Sequence, residues 1–247
     1  MKKSMLYIGT SGYNYDHWKE NFYPKGLPQN KWLEYYQTLF STVELNVTFY
    51  RLPQKKVFES WKKRTKKGFA FSLKGSRYIT HIKRLKDPKR SLRIFFEQSK
   101  PLKSKTKVVL WQLPPNYKKD IKRLGTFLKE LKKYKGYRNA FEFRNETWFY
   151  DEVYNLLKKH KATLCFADWP KLDYPDPTIF DYIYVRRHGP HVGALYTANY
   201  SNKDLKEDAK NIKKWLKAGK DIYFYFNNDA VGYAVKNALV LKKLTGS

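Results

Sequence analysis

Eight short hydrophobic segments, separated by segments with helical spacing or by long loops, constrain the fold of this chain more than any other feature. Each segment has the length of a β-strand, and most of the stretches between them repeat apolar residues every three or four positions, as amphipathic helices do. The predicted strands are residues 6–10, 42–46, 69–73, 108–112, 139–143, 163–167, 182–186 and 222–226. Strands that alternate with helices pair in parallel, and eight such units predict an α/β fold, a single (β/α)8 TIM barrel.

The chain of 247 residues is expected to form one domain, residues 1–247. Single α/β barrels commonly have this length, and no linker rich in glycine or serine divides the chain. The competing architecture is an open doubly wound sheet, but no Gly-x-Gly-x-x-Gly motif follows the first predicted strand. Helices are predicted at residues 31–40, 54–65, 91–99, 121–131, 153–157, 203–218 and 232–244, and long loops at 75–90 and 190–202.

Polar side chains follow the predicted strands at their carboxyl ends, where the sites of TIM barrels form. Side chains two apart on a strand share one face, so Glu142 and Arg144 project together, while Phe141 and Phe143 pack on the other face. We expect the Arg144 guanidinium to keep the Glu142 carboxylate ionised by lowering its pKa. That state suits a general base or a metal ligand better than a general acid.

The strand-end residues divide into two groups by their chemistry. Four can transfer protons or activate a nucleophile and are candidate catalytic residues: Glu44, Glu142, Asp168 and His188. Seven are candidate substrate-binding residues: Lys74, His81, Gln112, Arg144, Arg186, Asn228 and Asp229. Any one of them could instead cap a helix or tie a loop, but burying several charges without a function costs desolvation energy.

The same stretches resemble the YecE-like family, also called domain of unknown function 72. The matching motifs include Ile8-Gly9-Thr10-Ser11-Gly12-Tyr13, Thr42-Val43-Glu44-Leu45-Asn46, Thr80-His81, Gln112-Leu113-Pro114-Pro115, Phe141-Glu142-Phe143-Arg144, Tyr184-Val185-Arg186 and Tyr225-Phe226-Asn227-Asn228-Asp229. The resemblance covers nearly the whole chain and implies a TIM barrel and a cytoplasmic location, without implying a reaction. Arg187 departs from the family pattern, and by alternation it points away from Arg186 and His188.

The chain is strongly basic, with 51 Lys and Arg against 22 Asp and Glu and a formal net charge of +29. A charge of this size attracts polyanions and speeds their encounter, which favours nucleic acid as a partner. The alternative is a generally lysine-rich proteome, because pairs such as Lys62-Lys63 and Lys132-Lys133 have the spacing of solvated helix faces. Both interpretations remain open.

Three classes of function are compatible with these residues. The first is an enzyme acting on a phosphate-bearing substrate such as nucleic acid, in which cations hold phosphate and carboxylates hold a divalent metal ion. The second is a metal-free hydrolase or isomerase of a small polar molecule such as a sugar, with Glu44 and Glu142 as acid and base. The third is a non-catalytic nucleic-acid-binding protein. Five aromatic residues could stack on a base or a sugar: Tyr13, Trp18, Tyr50, Trp148 and Trp169.

The compartment follows from cysteine usage and hydropathy. Cys165 is the single cysteine, so no disulfide can form within the chain, and we expect it to be a small buried apolar residue. The first apolar run is too short for a signal peptide, and no stretch approaches the ~20 apolar residues that span a bilayer. The sequence therefore predicts a cytoplasmic protein with no membrane partner.

Overall fold

The computed structural model describes residues 4–190 and 195–247, and its centre is a barrel of eight parallel strands. The strands are β1 Leu6–Thr10, β2 Thr42–Leu45, β3 Ala70–Lys74, β4 Thr106–Gln112, β5 Arg138–Glu142, β6 Thr163–Ala167, β7 Tyr182–Arg187 and β8 Asp221–Phe226. Each strand hydrogen-bonds to the strand that follows or precedes it in the chain, and β8 pairs with β1. The (β/α)8 TIM barrel predicted from the sequence is confirmed.

The barrel closes between β1 and β2 by a short contact. Ser11 bridges to Glu44 in parallel, and the backbone N–H of Gly12 donates to the Glu44 carbonyl over 2.8 Å. Gly9 lies on β1 at this seam, where a methyl group would meet the Thr42 carbonyl oxygen at 2.5 Å. The glycine therefore allows two strand backbones to approach closely enough to close the barrel.

Helices surround the barrel at the places that hydrophobic spacing indicated. They are α1 Trp32–Leu39, α2 Val47–Tyr50, α3 Lys55–Arg64, α4 Pro88–Ser99, α5 Ile121–Leu131, α6 Asp151–Lys159, α7 Asn202–Lys217 and α8 Tyr233–Thr245, with 3-10 turns at Asp16–Trp18, Gln29–Lys31, Lys100–Lys105, Glu146–Trp148 and Pro177–Ile179. The start of α7 shows how sequence specifies a helix end: Ser201 and Asp204 form a capping box, each side chain accepting from the other's backbone N–H. No helix in the described part of the chain is both long and apolar enough to cross a bilayer.

Two predicted loops differ from the structure. Residues 75–90 contain a one-turn π-helix at Tyr78–Ile82, and α4 begins at Pro88 rather than at residue 91. Proline suits the first turn of a helix, because its fixed φ matches the helix and its missing N–H would have no partner there. The predicted loop at 190–202 includes residues 191–194, which lie outside the described residues, and its last residue already belongs to α7.

Tyrosines fill the middle of the barrel and supply polar groups inside it. Tyr225 Oη lies 2.7 Å from Thr42 Oγ1 and 3.0 Å from Ser72 Oγ, and Tyr184 Oη donates to Glu44 Oε2 over 2.6 Å. Buried tyrosine hydroxyls need such partners, because an unpaired polar group inside a protein is costly. Cys165 is buried among the same inward-facing residues, as predicted.

The inward face of each strand continues from this core to the carboxyl end of the barrel. Since side chains alternate with a period of two, the residue two positions beyond each core residue also points inward. This continuation places four polar side chains at one end of the barrel: Lys74 after Ser72, Gln112 after Leu110, Glu142 after Ala140 and Arg186 after Tyr184.

We predict that Gly9→Ala destabilises the fold, because its methyl group would overlap the Thr42 carbonyl oxygen. Overpacking of this kind typically costs ~1–3 kcal/mol, and each kcal/mol lowers the Tm by about 2–4 °C in a chain of this size. The matched control is Gly125→Ala within α5, where the nearest atom, Leu156 Cδ2, lies 3.9 Å away. That change should raise stability by up to about 1 kcal/mol. Thermal denaturation in which both variants shifted in the same direction would contradict the account of the seam.

Candidate active site

Arg186 lies at the centre of a buried ion-pair network at the carboxyl end of the strands. Its side chain is fully buried, with Nη1 2.7 Å from Glu142 Oε2 and Nη2 2.8 Å from Glu44 Oε1. Nη2 also donates to Ser11 Oγ over 3.0 Å. The guanidinium therefore joins β7 to β2 and β5 through the barrel interior, and it is committed to protein carboxylates rather than exposed to a ligand.

Glu142 is held by two guanidiniums. Arg144 Nε donates to its Oε1 over 2.7 Å, which confirms that the two side chains share a face, and Arg186 holds the other oxygen. Burial alone would raise the pKa of Glu142, but Arg144, Arg186 and His188 outweigh burial and hold its pKa well below the usual range. The Arg144 guanidinium stacks over the Trp169 ring at 4.1 Å, so this aromatic residue supports the arginine.

His188 is buried beside Glu142. Asn227 Nδ2 lies 3.0 Å from His188 Nδ1 and donates to it, which leaves the proton of the neutral ring on Nε2, 3.6 Å from Glu142 Oε1. Burial lowers the pKa of His188 despite the neighbouring carboxylate. The imidazole is therefore neutral at pH 7 and orients its N–H towards Glu142.

Lys74 has a buried amino group with no ionic partner. The side chain is 7% exposed at the end of β3, and Nζ lies 4.1 Å from the centre of the Phe49 ring. Within the described residues, Nζ makes neither a hydrogen bond nor an ion pair. Burial, reinforced by Arg186, lowers the pKa of Lys74 to about 7, although Glu142 and Glu44 oppose the shift.

A cavity of about 840 Å³ opens above this network. Four of the predicted substrate-binding residues line it: Lys74, His81, Gln112 and Arg144. Arg77 adds a further cation, and none of the lining residues of the described chain is an aspartate or a glutamate. The cavity wall is therefore cationic, whereas the carboxylates lie behind it, paired with arginines.

His81 comes from the one-turn π-helix at Tyr78–Ile82, not from a strand end. Its Nδ1 is 2.9 Å from Thr80 Oγ1, and its ring meets Phe49 edge to face at 5.0 Å between ring centres. Burial, with Lys74 as the next largest cause, lowers the pKa of His81 to about 4. This imidazole is also neutral at pH 7 and can accept or donate a hydrogen bond in the cavity.

Three predicted site residues lie outside the cavity wall and hold loops together. Asp168 accepts from the backbone N–H of His188 over 2.6 Å and from the Tyr200 hydroxyl. Asn228 donates to Asn237 Oδ1 over 2.8 Å. Their partners lie within the fold, so the cavity is formed without them.

Asp229 is the third of these residues. It accepts from the Trp18 indole over 2.9 Å and lies 3.0 Å from His17 Nε2, which connects the loop after β8 to the loop after β1. Burial raises the pKa of Asp229 to about 6. Arg187 also behaves as its alternation indicated, because it points away from the site and pairs with Asp208 of α7.

Several residues of the cavity wall were not among the predicted site residues. Asn46 and Asn227 each stand two positions beyond an inward-facing residue, so the period of two could have identified them. Arg77, Trp61 and Tyr196 come from loops or helices, where no strand pattern applies. Of the aromatic candidates, Tyr13 and Tyr50 line the cavity, whereas Trp18 and Trp148 are fully buried in the outer core.

The side chains do not fit the divalent metal ion considered from the sequence. Within residues 4–190 and 195–247, no group of three or more His, Cys, Asp or Glu side chains is arranged to hold an ion. Glu44 and Glu142 direct their oxygens at Arg186, and Asp229 directs its oxygens at Trp18 and His17. A metal would have to displace these contacts, so the chemistry of the site is best derived from its own side chains.

Comparison with known proteins places this barrel in a family. A family model described as "Protein of unknown function DUF72" matches residues 7–247. The chain belongs to the DUF72 family. UPF0759 protein YunF of Bacillus subtilis (strain 168) is 27% identical over 271 residues, which span 97% of this chain and 94% of that protein. The resemblance seen in the sequence motifs is confirmed.

Solved structures of DUF72 proteins have the same barrel. A DUF72 family protein from Thermotoga maritima MSB8 is 33% identical, with a TM-score of 0.85 over 98% of this chain and 100% of that one. A DUF72 family protein from Enterococcus faecalis V583 is 18% identical and shows the fold, with a TM-score of 0.81 over 98% and 96% of the two chains. None of these descriptions names a reaction, so membership of DUF72 leaves the specific activity to be inferred from the site.

We predict that Glu142→Gln destabilises this DUF72 barrel, because it removes the charge that holds two buried guanidiniums. Breaking a buried pair costs about 3–5 kcal/mol, which urea denaturation at pH 7 would measure. The folded pKa of Glu142 lies below its unfolded value of about 4.3. Its stabilisation is therefore complete above that value and is lost as the pH falls through the folded pKa.

The difference between wild type and Glu142→Gln should accordingly be largest at pH 7 and shrink below about pH 4. Glu152→Gln is the control, since Glu152 pairs with Lys119 on the surface and its side chain is 51% exposed. Exposed pairs contribute less than about 1 kcal/mol. A Glu142→Gln variant as stable as the control at pH 7, or a difference independent of pH, would contradict the assignment of this carboxylate to the ion-pair network.

Proposed function

We propose that this protein is a metal-free enzyme that binds a small anionic molecule in the barrel mouth and uses Lys74 as a general base. One observation carries the proposal: the 840 Å³ cavity presents Lys74, Arg77 and Arg144 to a ligand, with no carboxylate in its described wall. Cations without neutralising partners at a concave surface attract anions and hold them by charge-assisted hydrogen bonds.

Arg77 and Arg144 are suited to hold the anionic group. Arg77 is exposed and makes no ion pair within the described residues. Arg144 uses Nε for Glu142, and within the same residues this is its only hydrogen bond, so its Nη atoms remain available. A guanidinium offers two parallel donors to a phosphate or a carboxylate, which supports a ligand carrying either group.

The rest of the wall supports a ligand with a ring. Tyr13, Phe49 and Trp61 line the cavity, and the Trp61 indole donates to Tyr13 Oη over 3.0 Å, which fixes both rings. Aromatic faces stack on sugars and on bases, and the volume lies in the range of small-molecule sites. A mononucleotide or a sugar phosphate has the required combination of ring and anion.

Lys74 is the group best suited to move a proton. A general base is most effective when its pKa lies near the working pH, and the pKa of Lys74 is lowered to about 7. Near neutral pH, a large fraction of this amine is therefore unprotonated and can accept a proton. Gln112, beside it in the wall, can orient the ligand without adding charge.

The proposal differs from the roles first considered for Glu44, Glu142 and His188. These residues are buried behind the wall, where they set the charge and position of Arg144 and Lys74. We also propose a cytoplasmic location, because the single cysteine, Cys165, is a free thiol, as is usual in a reducing compartment.

Anion binding is tested with AMP and its uncharged counterpart, adenosine, by titration calorimetry. We expect AMP to bind at least tenfold more tightly, a difference of about 1.4 kcal/mol, and to weaken as salt is raised. Arg77→Met should weaken AMP binding by a similar factor, whereas Arg90→Met, an exposed arginine on α4 outside this cavity, should leave it unchanged. Equal binding of AMP and adenosine would contradict an anion site.

The Lys74 amine is tested with trinitrobenzenesulfonate, an anionic reagent that modifies only unprotonated amines. Peptide mapping should show Lys74 modified with a midpoint near pH 7, because its pKa is lowered, whereas an ordinary lysine titrates near pH 10.4. The rate should fall as the pH drops below 7, and AMP should protect the residue. A midpoint near pH 10 would exclude Lys74 as a base at neutral pH.

A second candidate function is binding of single-stranded nucleic acid across the mouth. Four large apolar side chains are exposed on α2 and on the π-helix: Val47, Tyr50, Tyr78 and Ile82. Phe49 and His81 connect these two helices by ring contact. Exposed aromatics beside cations form stacking platforms for bases, which supports a polymeric form of the same anionic, ring-bearing ligand.

Fluorescence anisotropy with a labelled oligothymidylate tests this candidate. Stacking contributes ~1–3 kcal/mol per base, so Tyr50→Ala should weaken binding to that extent. Tyr150→Ala is the control, because Tyr150 is 58% exposed but does not line the cavity. Equal effects of the two substitutions would indicate a general attraction to a basic surface.

A further inference from the structure

We infer that Lys74 forms an imine with an aldehyde or ketone that also carries an acidic group. This inference rests on the anion site proposed above and names the substrate class of that site more closely. It depends on where the amine lies, what surrounds it and which charges are already paired.

The surroundings of the Lys74 amine are those of a nucleophile. It stands at the end of β3, inside the barrel rim, and opens to the 840 Å³ cavity. Its nearest neighbour is the face of Phe49 at 4.1 Å, and within the described residues Nζ has no hydrogen-bond acceptor or carboxylate. Lysines become nucleophilic when an apolar pocket or a neighbouring cation disfavours the ammonium form, and Lys74 has both, since Arg186 adds to the effect of burial.

The buried structural lysine of this chain is bonded in a different way. Lys105 Nζ donates to the carbonyl oxygens of Lys62 and Lys66, each over 3.0 Å, and to Thr65 Oγ1 over 2.8 Å. These acceptors hold the ammonium group and leave no unprotonated amine facing a cavity. Lys74 has none of these contacts, so holding the fold together does not explain why a lysine stands there.

Charge balance also argues against Lys74 as a partner for the buried carboxylates. Glu44 and Glu142 are each paired with Arg186, and Glu142 is paired with Arg144 as well. Two carboxylates and two guanidiniums balance each other, so a proton on Lys74 would add an unpaired charge. The network favours a neutral amine at this position, and a neutral amine is the form that attacks a carbonyl carbon.

The reaction requires no redox partner. The Lys74 nitrogen attacks the carbonyl carbon, and the carbonyl oxygen takes up a proton to give a carbinolamine. Loss of the hydroxyl group as water leaves a carbon–nitrogen double bond, and both hydrogens of the amine leave with the oxygen. Arg77 and Arg144 would hold the acidic group, and a protonated imine would then withdraw electrons from the adjacent carbon.

Reductive trapping tests the inference on the intact protein. Glyceraldehyde 3-phosphate is incubated with the protein and sodium cyanoborohydride, and the peptides are mapped by mass spectrometry. We expect Lys74 to be modified at least tenfold faster than any other lysine and to gain the mass of the probe less one oxygen atom. Inorganic phosphate should compete, and uncharged glyceraldehyde should react at least tenfold more slowly.

Two variants locate the reaction. Lys74→Arg keeps a cation and should abolish the fast label, whereas Lys105→Arg changes the structural lysine and should retain it. Mapping of the wild-type protein reports on Lys74 directly, so the result does not depend on either variant folding. Labels spread evenly over the lysines would overturn the inference.

The outcome also separates this inference from the proposed function. If glyceraldehyde 3-phosphate binds by calorimetry but leaves Lys74 unmodified, the imine is wrong, while the anion site and the general base remain. If the probe neither binds nor reacts, while AMP binds, the carbonyl substrate class is wrong. If neither AMP nor the probe binds, both the inference and the proposed function are wrong.

Discussion

The ion pairs of Arg186 with Glu44 and Glu142 are the interaction on which this end of the barrel depends. All three side chains are buried, so each charge has lost its hydration, and only close pairing offsets that cost. The pairs join three strands that are not neighbours in the sheet. Tyr184 and Ser11 complete the bonding of Glu44, so the network is continuous with the polar tyrosine core and with the seam between β1 and β2.

This arrangement determines what the cavity offers to a ligand. Because the buried carboxylates are paired with arginines, none is left to neutralise the lysine at the end of β3, and the wall of the described chain is cationic. Residues that would ordinarily be read as an acid and a base therefore act at one remove, through the position of Arg144 and the protonation of Lys74. The reactive group of the site is the lysine, and the two glutamates keep it so.

The sequence predicted the barrel and much of the site, because a period of two along each strand determines which side chains point inward. Glu142, Arg144, Arg186 and Lys74 could be placed together on that basis. The period does not give a side chain's partner, which comes from remote parts of the chain. Asp168 bonds Tyr200, Asn228 bonds Asn237 and Asp229 bonds Trp18, so three strand-end residues are committed to loops. The π-helix that carries His81 has no periodic signal from which it could have been predicted.

The distribution of charge separates the mouth from the rest of a basic surface. A second cavity, of about 770 Å³, lies at the amino end of the strands and is lined by five basic residues: Lys62, Lys100, Lys103, Lys107 and Arg138. Asp221, the acidic residue in its described wall, already pairs with Arg138. Both ends of the barrel are therefore cationic, and the net charge of +29 does not by itself indicate a ligand at the mouth. What distinguishes the mouth is burial: there a lysine is removed from water beside aromatic rings, and only such an amine changes its protonation near neutral pH.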